Sequence, residues 1–216
     1  MIKARIYGLS LYQGGVYEML FVAVNGSPHK DGNTMALLRE GLLVARKLGH
    51  ETKLIHAAEA LQGVKDPFCT ECVRVCECQC SQGNSLGHAL DILRQADGIL
   101  IGTPVYFGTV SGQLKAFWDK TRNLRKNKDL LNTVGGVVTV GAARFGGQEM
   151  ALQAVIHMML VQGMTVVGDG QSDFDCGHFG ASAQKPSAED EFALRRARIT
   201  MERIIEVAEA TKPLRK

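Results

Sequence analysis

The chain has no apolar run long enough to cross a bilayer, although 45% of its 216 residues are hydrophobic; a spanning helix needs about 20 such residues in succession. Its first residues also lack the basic segment, apolar stretch and small-residue cleavage site that direct export. A cytoplasmic protein with no membrane partner is therefore expected. There is no block of Lys or Arg, and a formal net charge of +3 is too mild to argue for a nucleic-acid partner. Both G-x-x-x-x-G-K-S/T and G-x-G-x-x-G are missing, which disfavours a triphosphate on a P-loop and a dinucleotide on a Rossmann fingerprint. No internal repeat and no second domain are found, and an ordinary charged fraction of 22% suits one globular domain with a sizeable core.

What is present is alternation. Apolar, β-branched runs over 20–25, 52–56, 98–102, 133–140 and 164–167 lack a clean two-residue period, as strands covered on both faces of a parallel sheet do. Helix-like segments over 35–48, 86–95, 112–123 and 148–162 separate them, and a last helix over 188–211 follows a Gly/Ser/Ala-rich stretch, 168–187. The pattern predicts an α/β fold, a doubly wound five-stranded parallel sheet of order 2-1-3-4-5. In such a sheet ligands sit outside the carboxyl ends of strands 1 and 3, where the winding direction reverses. Residues 19–216 form that domain, with a Cys-rich insertion at 69–80; residues 1–18 read as an N-terminal extension.

The loop after the first strand is Asn25-Gly26-Ser27-Pro28-His29-Lys30-Asp31-Gly32-Asn33-Thr34. A strand that passes through such a loop into a helix start offers unpaired backbone N–H groups and a partial positive charge to an anion. Ser27, Asn33 and Thr34 add neutral donors, Gly26 and Gly32 permit tight turns, and Thr34 is the expected N-cap of the next helix. Read alone, the loop is equally a polar turn that binds nothing.

The loop after strand 3 runs Thr103-Pro104-Val105-Tyr106-Phe107-Gly108, and the loop after strand 4 runs Gly141-Ala142-Ala143-Arg144-Phe145-Gly146-Gly147. A proline-fixed loop with an aromatic pair supplies an apolar wall and backbone hydrogen-bonding groups for a flat conjugated ring. With a phosphate loop beside it, this describes a mononucleotide with a large ring, and flavin mononucleotide (FMN) is the candidate. Tyr106 and Phe107 also read as core aromatics at a strand end. Arg144 reads either as a neighbour of the electron-rich ring edge or as a solvated loop arginine. His157 and His178 are weaker candidates for an approach to the ring.

These segments, with Val110-Ser111-Gly112-Gln113-Leu114-Lys115-Ala116-Phe117 and Gly146-Gly147-Gln148-Glu149, resemble the NADPH-dependent FMN reductase branch of the flavodoxin-like superfamily. The similarity covers nearly the whole chain after residue 18. It implies FMN held by Ser27, His29, Gly32, Asn33, Thr34, Pro104, Val105, Tyr106, Phe107, Gly108, Arg144, Gly146 and Gly147. It also implies hydride transfer from NADH or NADPH as co-substrate, an unknown electron acceptor, and a homodimer or homotetramer. His29 stands where that family often has arginine. The flavin carries the chemistry, so no protein acid or base is named.

Five of the six cysteines lie in Cys69-Thr70-Glu71-Cys72-Val73-Arg74-Val75-Cys76-Glu77-Cys78-Gln79-Cys80. In a reducing compartment such crowding points to metal ligation more than to disulfides, and zinc or an iron–sulfur cluster could each use four of the thiolates. The segment also resembles the compact four-cysteine motif of iron–sulfur flavoproteins. That resemblance implies a [4Fe-4S] cluster on Cys69, Cys72, Cys76 and Cys80, with Cys78 as the substitute, although three residues rather than two separate Cys72 from Cys76. Two other readings stand beside the reductase: an electron carrier that does not use NAD(P)H physiologically, and a zinc-stabilised binding module without redox chemistry.

Overall fold

The computed structural model describes residues 18–215, so all of the expected N-terminal extension except Glu18 lies outside the described residues. Five strands, β1 (Leu20–Asn25), β2 (Glu51–His56), β3 (Gly98–Pro104), β4 (Val134–Gly141) and β5 (Thr165–Val166), run parallel in the order 2-1-3-4-5. All of β4 and nearly all of β1 and β3 are buried, which is why their sequences are continuously apolar. The edge strand β2 alternates between exposed and half-buried positions up to Ile55, which is buried in the core.

Two helices cover one face, α1 (Asn33–Lys47) and the last helix, α7 (Glu191–Ala210), whose Leu38, Leu42, Met201 and Ile204 meet over Phe21 and Leu100. On the other face lie α2 (Ala57–Ala60), α3 (Ser85–Gln95), α4 (Gly112–Asp119), α5 (Arg122–Asn127) and α6 (Gln148–Val161), with Leu86, Leu93, Phe117, Trp118 and Val155 over Ile99 and Ile101. The helix expected over 112–123 is divided. The Thr121 hydroxyl donates back to Trp118 O at 2.7 Å and accepts the Gln162 amide at 2.6 Å, fixing a corner between α4 and α5.

The fifth sheet position is shared. β5 pairs with β4 at Val134 and Gly135, and a sixth strand, β6 (Ala181–Gln184), pairs with the same edge of β4 from Val138 to Gly141. Residues 167–180 make an excursion between them. It is strapped to α7 through Arg196, whose guanidinium lies 3.2 Å from the fully buried Asp169 and 2.5 Å from Asp175, under the ring of Phe174. β6 falls within the Gly/Ser/Ala-rich stretch 168–187, where no strand was expected, because Ala-Ser-Ala-Gln carries no apolar run.

Candidate functional site

The three loops leave the carboxyl ends of β1, β3 and β4 and touch one another. Gly26 N–H donates to Gly102 O at 2.7 Å, and Ser111 Oγ donates to Gly26 O at 2.5 Å while accepting the Leu114 N–H at 3.1 Å as the N-cap of α4. A Cβ on Gly26 would stand 2.8 Å from Leu114 Cβ, so only glycine lets the first loop lie this close to α4. Val105 N–H donates to Val140 O at 2.9 Å, and a Cβ on Gly147 would stand 3.1 Å from Gly108 Cα, so the second and third loops are also in contact.

The first loop is held from inside by Asn25. Its Oδ1 accepts the Ser27 N–H at 2.9 Å, and its Nδ2 donates to His29 O at 3.1 Å and lies 3.2 Å from His56 Nδ1. Ser27 Oγ accepts the His29 N–H at 3.1 Å and keeps its own proton to donate. The expected N-cap is corrected: α1 begins at Asn33, its N-cap position is Gly32, and Thr34 lies inside the first turn with its methyl against Gly102. No side chain caps α1, and its first turn holds no acidic residue. The nearby charges are engaged elsewhere, Lys30 with Glu59 and Asp31 with Arg39. Lys30 holds the Glu59 carboxylate below its ordinary pKa. The helix start is thus a set of donors for which, among the described residues, no anion is provided.

The second loop turns sharply at Phe107 (φ +50°) and Gly108 (φ +80°), closed by reciprocal backbone bonds between Tyr106 and Thr109 of 3.0 and 3.2 Å. Phe107 is fully exposed, Phe145 is 93% exposed and Tyr106 40% exposed, so none of these aromatics belongs to the core. A left-handed phenylalanine costs about 1–2 kcal/mol and an uncovered ring forgoes about 1.5–3 kcal/mol of burial, two expenses concentrated at one rim. Arg144 Cζ lies 5.5 Å from the Phe145 ring centre. Gln148, which the sequence did not single out for the site, shapes this loop: its Nε2 donates to Ala143 O at 2.6 Å and its Oε1 accepts the Gly146 N–H at 2.8 Å.

The rim therefore brings together Ser27, His29, Gly32, Asn33 and Thr34 with Pro104 to Gly108 and Arg144 to Gly147. It does not include the two histidines. His157 lies nine residues into α6, about 13 Å along the helix from its start at the rim. His178 belongs to the excursion, with Nδ1 3.9 Å from Asp169.

The cysteine segment lies against the α4–α5 corner. Arg122 donates to Val73 O at 3.2 Å and Arg74 O at 3.1 Å and pairs with Glu71 at 2.6 Å, and Asn123 donates to Cys76 O at 3.0 Å. All five thiols are free. Burial raises the Cys78 pKa, with Cys76 and Cys80 close enough to add to the effect. Cys69 and His157 line a hollow of about 540 Å³ between this segment, α4 and α6. Among the described residues no three His, Cys, Asp or Glu side chains gather as a metal-binding group. The thiols have the chemistry of cluster ligands, but Cys69, Cys72, Cys76 and Cys80 are not brought together as a set.

The family described as NADPH-dependent FMN reductase matches residues 19–178. An iron–sulfur flavoprotein of Methanocaldococcus jannaschii is 37% identical over 197 residues, spanning 90% of this chain and 100% of that protein. One from Archaeoglobus fulgidus is 36% identical over 204 residues, spanning 91% and 99%. Among solved structures, the WrbA-like flavodoxin from Agrobacterium tumefaciens superposes with a TM-score of 0.63 at 21% identity, covering 89% of this chain and 99% of that one. The last of these speaks for a flavodoxin-like fold.

Proposed function

The chain belongs to the NADPH-dependent FMN reductase family, among its iron–sulfur flavoproteins, and from that premise we propose that it holds FMN at the rim of β1, β3 and β4, accepts hydride from NADH or NADPH, and passes electrons to a small-molecule or protein acceptor. The observation that carries the reading is the uncapped, acid-free start of α1 on the same rim as the exposed Phe107 and Phe145. An anion and a flat ring are what these two features have in common need of.

The residues fit the cofactor. The first-turn N–H groups of α1, the Ser27 hydroxyl and the Asn33 amide would take the phosphate, and loops 104–108 and 143–147 would border the ring. FMN, when bound, supplies the capacity to take up hydride and release electrons. The protein's part is to orient it, to exclude water with Phe107 and Phe145, and to set charge near its edge with Arg144. No side chain is assigned a proton-transfer role. Among the described residues no helix is long and apolar enough to cross a membrane. The outer face of α6, with Met150, Leu160 and Val161 exposed, supports burial against another copy in a homodimer or homotetramer.

Anaerobic mixing with NADPH or NADH tests the reductase reading. Rapid loss of the flavin's visible absorbance is expected, and a flavin that stays oxidised would contradict it. The five free thiols and the relatives' names support a second reading, an electron carrier whose cysteine segment holds a [4Fe-4S] cluster. Because the four thiols are not assembled here, loading would require segment 69–80 to close up. Iron, zinc and flavin quantitation after anaerobic purification separates this from zinc.

A further inference from the structure

Asn33, the exposed first residue of α1, is gripped by a residue from the far end of the chain. Its Oδ1 accepts the Ser187 N–H at 2.8 Å and lies 3.3 Å from Ser187 Oγ, which donates to Asn33 O at 2.7 Å. Ser187 is wholly buried and follows β6, whose end is tied to the third loop by Lys185 N–H donating to Gly141 O at 3.0 Å. A backbone N–H can only donate, so the side-chain atom that meets it must be the amide oxygen. The Asn33 amino group is consequently turned away from Ser187, and among the described residues it has no hydrogen-bond partner. Left to itself, an exposed asparagine at this position could present either end of its amide to an anion, and the oxygen end repels.

We propose that Ser187 is a positioning residue for cofactor binding: it locks the Asn33 amide so that Nδ2 is the atom presented to the FMN phosphate. This rests on the FMN reading above. It also gives β6 a task, since that strand carries the chain from the excursion to the anion loop.

The test uses flavin-free protein titrated with FMN and with riboflavin, which has the same ring and no phosphate. Wild type should bind FMN more tightly. Ser187→Ala keeps the N–H but removes the hydroxyl's bond to Asn33 O, which holds that N–H against the Asn33 amide; it should weaken FMN binding by about threefold to tenfold, the effect of one neutral hydrogen bond, and leave riboflavin binding unchanged. Asn33→Asp keeps an oxygen for the Ser187 N–H but places a carboxylate oxygen where the amino group stood. It should weaken FMN at least about tenfold and spare riboflavin. The Asn33→Asp arm carries the test if Ser187→Ala does not fold. Equal losses for both ligands, or unchanged FMN affinity in either folded variant, would overturn the positioning role. Failure of the wild type to prefer FMN would instead overturn the phosphate site itself.

Discussion

At the scale of single residues, the loop after β1 offers neutral donors, and which donors it holds was legible from its composition. Ser27, Asn33 and Thr34 lie at the helix start where the loop composition put them, whereas the cap is Gly32 because Thr34 is needed for packing against Gly102. The combined Ser27→Ala, Thr34→Ala variant should lose about 1.5–3 kcal/mol of FMN affinity per hydrogen bond to the charged phosphate, read by fluorescence titration. Ser111 caps α4 and ties it to Gly26, a role its place in the sequence motif does not announce. Ser111→Ala should cost about 1–3 kcal/mol in urea unfolding, since Gly26 O is left buried and unpaired. Glu202 in α7, which accepts the Gln171 amide at 2.8 Å, is pushed from 4.5 up to about 7 by burial and by Glu206, against Arg198 and Arg195. The folded state then keeps a proton that the unfolded chain has released, so stability falls as pH rises between those two values and levels off above. Glu202→Gln should therefore be more stable than wild type at pH 8, by on the order of 1–2 kcal/mol, and equal to it near pH 4. A constant difference across that range would contradict the assignment.

At the scale of elements, apolar runs announced β1, β3 and β4 because burial on both faces demands them. They could not announce β6, whose four residues are held by pairing with β4 rather than by their own preference. The Ser187–Asn33 contact was equally hidden, since it joins residues 154 positions apart. In the cysteine segment, spacing told which donors exist and not how they are arranged. The arrangement is governed by Arg122 and Asn123, which grip three backbone carbonyls of the segment from the α4–α5 corner. Replacing both with alanine should speed proteolytic cleavage within 69–80 roughly tenfold while leaving the global unfolding midpoint nearly unchanged, because local opening requires only those bonds to break. Unaltered cleavage would mean that the segment is held by other contacts.

At the scale of the whole molecule, the winding of the sheet brings together loops that are about 75 and 40 residues apart in sequence, and their mutual hydrogen bonds make a single rim. The order 2-1-3-4-5 was expected from the alternation of strand and helix, and the sheet has it. The division of the fifth strand was not legible, because the excursion between its halves is fixed by one buried arginine rather than by a periodic pattern. The central claim is that this rim takes FMN by its phosphate and its ring together. It is tested most directly by adding FMN to flavin-free protein and following quenching of the flavin's fluorescence. The account predicts saturation at about one FMN per chain and relief of quenching by excess inorganic phosphate, which competes for the start of α1. Fluorescence that stays at the level of free FMN would contradict it.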